Sequence, residues 1–148
     1  MKLKFKKMRP NATIPQYQTE GAAGFDFHAA IDKPVIIKPH QPPHPIPTGI
    51  AVEIPLGYEL QIRPRSGLAY KHSVTMMNGV GTIDSDYRGE MQVLLINHGD
   101  SDFIVEPDMR IAQGVIAKYE KVSWEEVDEL SETDRGAGGF GSTGLAKK

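Results

Sequence analysis

Apolar and polar residues alternate with a period of two in several short runs of this chain. The first is Lys2-Leu3-Lys4-Phe5-Lys6, which suits a half-buried strand whose lysines face water. Tyr58-Glu59-Leu60-Gln61-Ile62 repeats the alternation, while Val35-Ile36-Ile37 and Ile50-Ala51-Val52-Glu53-Ile54 are short β-rich runs. Met91 to Ile96 is apolar enough for a strand buried on both faces, and Ile111 to Tyr119 mixes the two patterns. Prolines at 34, 39, 42, 43, 45, 47, 55 and 64 leave little room for a helix, because each removes an amide donor and fixes φ. Short strands separated by turn signals predict an all-β barrel or sandwich. Ser66, ahead of Gly67-Leu68-Ala69-Tyr70-Lys71, is placed to cap one short helical turn, the single helix expected in the domain.

The chain changes character at Arg135. Arg135 to Gly144 contains five glycines and nothing that builds a core, which predicts a domain over residues 1–134 and a mobile, Gly-rich C-terminal tail over 135–148. A length of 148 residues with 39% hydrophobic content fits one domain and excludes a separate cofactor domain. The absence of cysteine excludes a disulfide framework, a thiolate zinc site and a cysteine nucleophile, and it fits a reducing compartment. A formal net charge of −2 argues against duplex nucleic acid as the main partner. No apolar run approaches the ~18–20 residues of a membrane helix, and no apolar stretch follows the N-terminal lysines as a secretory signal would require. The expectation is a soluble, cytoplasmic protein with small-molecule partners, no nucleic acid and no membrane.

Residues 136–141 formally match G-x-G-x-x-G, but no strand–turn–helix unit surrounds them, so a dinucleotide fingerprint is not indicated. Consecutive glycines instead free backbone amides to curl round an anion. Arg135 adds a charged fork, Ser142 and Thr143 add hydroxyl donors, and Phe140 can close over a nucleobase. Arg63-Pro64-Arg65-Ser66-Gly67 places a guanidinium and a hydroxyl at the start of the short helix, an anion-favouring position. Val80 to Glu90 has acids, an aromatic and glycine turns between two strand-like runs, the shape of a β-hairpin, on which a carboxylate can activate water. His40 and His44 have H-x₃-H spacing, but Pro42, Pro43 and Pro45 forbid the helix that would join them on one face, so metal ligation is not expected. Neither G-x-S-x-G nor a P-loop occurs.

Taken in order, Ala23–Asp26, Pro64–Ala69, Gly79–Glu90, Arg110–Gln113 and Arg135–Gly144 resemble the five ordered motifs of trimeric dUTP pyrophosphatases, the dUTPases. The resemblance implies a jelly-roll-like β-barrel assembled as a homotrimer, with each active site drawn from different subunits and the tail crossing to a neighbour. It implies hydrolysis of dUTP to dUMP and pyrophosphate, which lowers dUTP and supplies dUMP for thymidylate synthesis. Asp84 would be the general base for in-line attack on the α-phosphorus, and Tyr87 would lie against the deoxyribose and exclude a 2′-hydroxyl. Asn78 and the backbone at Gly79 would hydrogen-bond the uracil edge. Arg65, Ser66 and Gly67 would hold the phosphate chain, with Gln113 on a neighbouring phosphate. Arg135, Ser142 and Thr143 would clamp the γ-phosphate while Phe140 stacks on uracil, with Gly141 among the substrate-binding residues. Magnesium would ride on the triphosphate with no direct protein ligand, and Asp26 and Gln113 would meet its water shell.

Three departures from the family pattern stand out. Phe25 and Phe27 replace aliphatic residues, Thr82 precedes Ile83, and Gly114 follows Gln113 where a larger residue is usual, which is expected to loosen that strand. Two alternatives keep the fold. A dCTP deaminase-like enzyme would need a glutamate on the strand after the hairpin, where this chain has Leu94, and a non-catalytic dUTP-sensing or partner-binding module would be expected to lose Asp84 or Phe140.

Overall fold

The computed structural model describes residues 1–142. Among them the chain forms β1 (Lys4–Lys7), β2 (Gln16–Tyr17), β3 (Phe25–His28), β4 (Val35–Ile37), β5 (His44–Pro47), β6 (Ile50–Glu53) and β7 (Tyr58–Arg63). Helix α1 (Ser66–His72) follows, then β8 (Val74–Met76), β9 (Gly81–Ile83), β10 (Gln92–Asn97), β11 (Phe103–Val105) and β12 (Arg110–Lys118). The largest sheet has the order β2-β3-β12-β7-β9, and three smaller ones pair β1 with β6, set β10 between β5 and β8, and pair β11 with β4. Every pair between these strands is antiparallel. Hydrogen bonding therefore does not run round the molecule as one closed barrel, although the sheets enclose a common core. Prolines fit this arrangement where an amide is dispensable: β5, which carries Pro45 and Pro47, stands at the edge of its sheet.

The core is built from the inward faces of these sheets, with Phe27, Ile46, Ile50, Leu60, Leu95 and Ile111 fully buried. The alternation in β7 works as expected, with Leu60 and Ile62 inside and Glu59 and Gln61 half-exposed. Strand β10 buries Val93, Leu95, Ile96 and Asn97 but leaves Leu94 half-buried, so only part of its second face is covered. In β1 the lysines face water, yet Phe5 also remains 46% exposed, because β1 contributes only to the narrow β1–β6 sheet and rims an open apolar groove.

Three local expectations are corrected. Ser66 is the first helical residue and does not cap: Arg65 takes the cap position with extended backbone (φ −95, ψ 127) and no side-chain cap bond, and the helix runs seven residues. Val80 to Glu90 is not a hairpin. Strand β9 pairs with β7, whereas β10 pairs with β5 and β8, because Glu90 and Met91 are drawn to the chain at Thr48–Ile50. Finally, β12 runs unbroken through Gly114, and its one irregularity falls between Arg110 and Ala112. A Cβ on Gly114 would stand 2.6 Å from the Phe25 ring and 2.7 Å from that of Phe27. The bulky aromatics on β3 and the missing side chain on β12 thus fill one volume together.

Candidate functional site

A carboxylate on a buried strand needs a counter-charge, since an unpaired ion there loses its hydration without compensation. Asp26 on β3 is 8% exposed and meets two guanidinium groups. Arg110 Nη1 lies 3.1 Å from Oδ2 and Arg65 Nε 3.4 Å from Oδ1. Arg65 also donates from Nη1 to the Arg110 carbonyl at 3.0 Å, which ties the start of α1 to β12. Gln113 is the direct cross-strand partner of both Asp26 on one side and Arg63 on the other. Its amide donates to the Pro64 carbonyl at 3.1 Å. Its Oε1 packs so closely on Gly24 that a Cβ there would come within 2.7 Å. Ser66 and Gly67 lie exposed beside this cluster, with open space above Gly67. Arg65 and Arg110 also border a cleft of about 570 Å³ with Leu68, His72, Phe103 and Met109. Asp26, Arg65, Ser66, Gly67 and Gln113 therefore form one polar, arginine-rich surface suited to an anion.

The turn at Asn78–Gly79 packs against the same region, because a Cβ on Gly79 would stand 3.2 Å from Pro64 Cδ and one on Gly81 3.3 Å from Asn78 Nδ2. Asp84 does not. The β7–β9 register sets Ile83 opposite Leu60, so Asp84 emerges beside Glu59 at the far end of β7. Strand β7 runs four residues from Glu59 to Arg63, about 13 Å at ~3.3 Å per residue, and Pro64 and Arg65 lie beyond its end. There Asp84 lines a second cleft of about 290 Å³ with Glu59, Ser85, Asp86, Tyr119 and Lys121. Tyr87, 44% exposed, donates its hydroxyl to the Glu90 carbonyl at 3.1 Å, and its amide donates to the Asp84 carbonyl at 3.2 Å.

Residues 135–142 stand apart from both clefts. Arg135 Nε donates to the Gly138 carbonyl at 2.8 Å, Ser142 donates its amide to the Gly139 carbonyl at 3.0 Å, and Gly141 adopts φ +86. Phe140 is fully exposed. Thr143 lies outside the described residues.

The chain thus brings the expected site residues into three separate groups. Sequence reasoning gave Arg110 no individual role, although a buried aspartate on β3 calls for a cation and Arg110 stands in the same motif as Gln113. It also missed Arg9, whose guanidinium meets Glu90 in a two-pronged ion pair that raises its pKa above the ordinary arginine value. Among the described residues, no cluster of three or more His, Cys, Asp or Glu side chains is placed to hold a metal ion. Asp26 has each oxygen facing a guanidinium, which suits contact with a hydrated ion through water better than direct ligation. No helix among the described residues is long and apolar enough to cross a membrane.

A family model described as dUTPase matches residues 10–144. The chain is 56% identical over 148 residues to the deoxyuridine 5'-triphosphate nucleotidohydrolase of Orientia tsutsugamushi (strain Boryong), covering 98% of this chain and 99% of that one. It is 60% identical over 144 residues to the protein of the same name from Nautilia profundicola, covering 97% and 99%. Among solved structures it matches a Staphylococcus bacteriophage 80alpha dUTPase with dUPNHPP at a TM-score of 0.90 and 27% identity, covering 97% of this chain and 99% of that chain.

Proposed function

The chain belongs to the dUTPase family, and from that premise we propose that it hydrolyses dUTP to dUMP and pyrophosphate in sites shared between the subunits of a homotrimer. The observation that carries the shared site is the separation along β7, with Asp84 at the Glu59 end and Arg65 with Asp26 and Gln113 at the other. A general base at the opposite end of β7 from the phosphate-binding surface of its own chain is out of that surface's reach, whereas a neighbouring chain's surface can be brought to it by a closed rotation. Val122, Trp124 and Leu130, all exposed on the segment after β12, support an assembly in which that segment lies on another chain.

In this reading Asn78 and the Gly79 backbone hold the uracil edge, and the Tyr87 ring lies against the deoxyribose and leaves no room for a 2′-hydroxyl. Asp84 takes a proton from water, whose oxygen attacks the α-phosphorus in line as the bond to the bridging oxygen breaks and pyrophosphate leaves. Arg65, Ser66 and Gly67 of the adjoining chain hold the phosphates, with Gln113 beside them. Arg135, Gly141, Ser142 and Thr143 close on the γ-phosphate and Phe140 covers the base, so that the segment after the domain of residues 1–134 serves as its closing tail. Asp26 and Gln113 would meet the water shell of a magnesium ion that arrives with the triphosphate, and such an ion would supply charge compensation at the leaving oxygen. A cytoplasmic location, where the nucleotide pool lies, belongs to the same proposal.

The test is a product assay with magnesium on dUTP beside dCTP, dTTP and UTP, resolving pyrophosphate from single phosphate. Release of dUMP and pyrophosphate from dUTP alone supports the reading. Binding of dUTP without turnover would leave only a sensing module.

A further inference from the structure

Tyr87 is half-exposed on a loop, and a ring that selects between sugars by steric exclusion must be held in place. A rotation of the ring would open the space that it is meant to deny. The start of the loop is fixed by β9 on β7, and its end is fixed elsewhere. Glu90 accepts hydrogen bonds at Oε1 from Arg9 Nε (2.6 Å) and from the Gly49 amide (2.9 Å), and at Oε2 from Arg9 Nη2 (3.2 Å). The next residue, Met91, is held to the same strand region: Thr48 donates both its amide (3.1 Å) and its hydroxyl (2.8 Å) to the Met91 carbonyl, and the Met91 amide donates to the Ile50 carbonyl (2.9 Å). Gly49 is held in turn, since its carbonyl accepts the Met8 amide at 2.7 Å. Its φ of +69 and its approach to Ala12, where a Cβ would stand at 2.5 Å, leave room only for glycine. Glu90 then offers its own carbonyl to the Tyr87 hydroxyl at 3.1 Å. Hydrogen bonds to the side chain and to the carbonyl of Glu90 thus link Arg9, beyond the end of β1, to the Tyr87 ring.

We infer that Arg9 and Glu90 are positioning residues for Tyr87, and that their ion pair sets how strongly the site rejects a ribonucleotide. The inference rests on the proposed sugar-contacting role of Tyr87. A bidentate arginine–carboxylate pair fixes the Glu90 side chain in both direction and plane, so the carbonyl that receives the tyrosine hydroxyl keeps its orientation. Arg9 touches neither cleft, and removing it alters the site only through Glu90.

The experiment measures kcat/KM for dUTP and for UTP in the wild-type protein and in Arg9→Ala, Arg9→Lys, Glu90→Gln, Tyr87→Phe and Tyr87→Ala. Arg9→Ala is expected to reduce the dUTP preference by about tenfold, chiefly by raising kcat/KM for UTP, with its Tm close to wild type. Arg9→Lys restores part of the preference, because a single ammonium makes one of the two bonds. Glu90→Gln, which keeps the acceptor but loses the charge, falls between Arg9→Ala and wild type. Combining Arg9→Ala with Tyr87→Phe adds little to either change alone, since both act on one hydrogen bond. A parallel loss for both substrates, or full additivity of the pair, overturns the inference. If Tyr87→Ala leaves the preference unchanged, the sugar role of Tyr87 fails and the inference fails with it. If Tyr87→Ala relaxes the preference and Arg9→Ala does not, only the positioning role is lost.

Discussion

Gly114 on β12 stands directly opposite Phe25 on β3, and the Phe25 ring occupies the space that a side chain at Gly114 would need. The Phe25 and Phe27 rings pack edge to face at 5.5 Å, and Tyr17 extends the stack to Phe25 at 5.4 Å. Gly114→Val is therefore expected to destabilise the fold by about 1–3 kcal/mol through overpacking. Phe25→Leu should relieve part of that cost in the double variant. Thermal unfolding of the two single variants and the double variant checks it, and strict additivity would show that the two positions do not share one volume.

Both halves of this arrangement were visible in the sequence as separate departures from the family pattern, but not their connection. Which residue faces which across a sheet depends on register, and register is set by turns and packing far from the pair. The same limit applied to residues 80–90. Their acids, aromatic and glycines were legible, whereas the departure of β10 to β5 and β8 rests on Glu90 and Met91 reaching Thr48–Ile50, some forty residues away in the chain. Arg65 stood out by its residue type ahead of the short helix, whereas Asp26 and Gln113 could be named only through the resemblance to the dUTPase motifs. Their distance from Asp84 could not be read, because strand direction alone decides which end of β7 each motif occupies.

Asp26 holds Arg65 and Arg110 together, so Asp26→Asn is expected to release both guanidinium groups while keeping the side chain's shape. The loss should appear in kcat/KM for dUTP by about 10²-fold, since misplacing a phosphate-binding group by an ångström has that scale of effect. Stability should fall by about 1–3 kcal/mol, because a partly buried charge-assisted network is broken. Steady-state kinetics beside denaturant unfolding separates the two effects, and unchanged kinetics would remove Asp26 from the site.

Asp84→Asn is expected to abolish hydrolysis while dUTP affinity stays nearly intact, because the basicity goes and the shape remains. Calorimetric binding and product release on the same preparation check this. Equal turnover by the variant would end the assignment of Asp84 as base.

Residues 135–142 make their hydrogen bonds with one another and with Thr133, so removing residues 135–148 should leave the fold and its thermal transition unchanged. The expected loss is in kcat, by about 10²-fold or more, if the segment supplies the closure proposed for it. An unchanged kcat would reduce the segment to a solubilising extension.

The most direct test of a site built from two chains is to mix Asp84→Asn with Arg65→Ala. Each variant alone should be inactive on dUTP. After denaturation and refolding together in equal amounts, random trimers that share their sites between chains should recover about one quarter of wild-type activity, since that fraction of sites receives Asp84 from one chain and Arg65 from another. If the mixture stays as inactive as its parts while subunit exchange is confirmed by mass, both residues serve one site within one chain, and the shared site is contradicted.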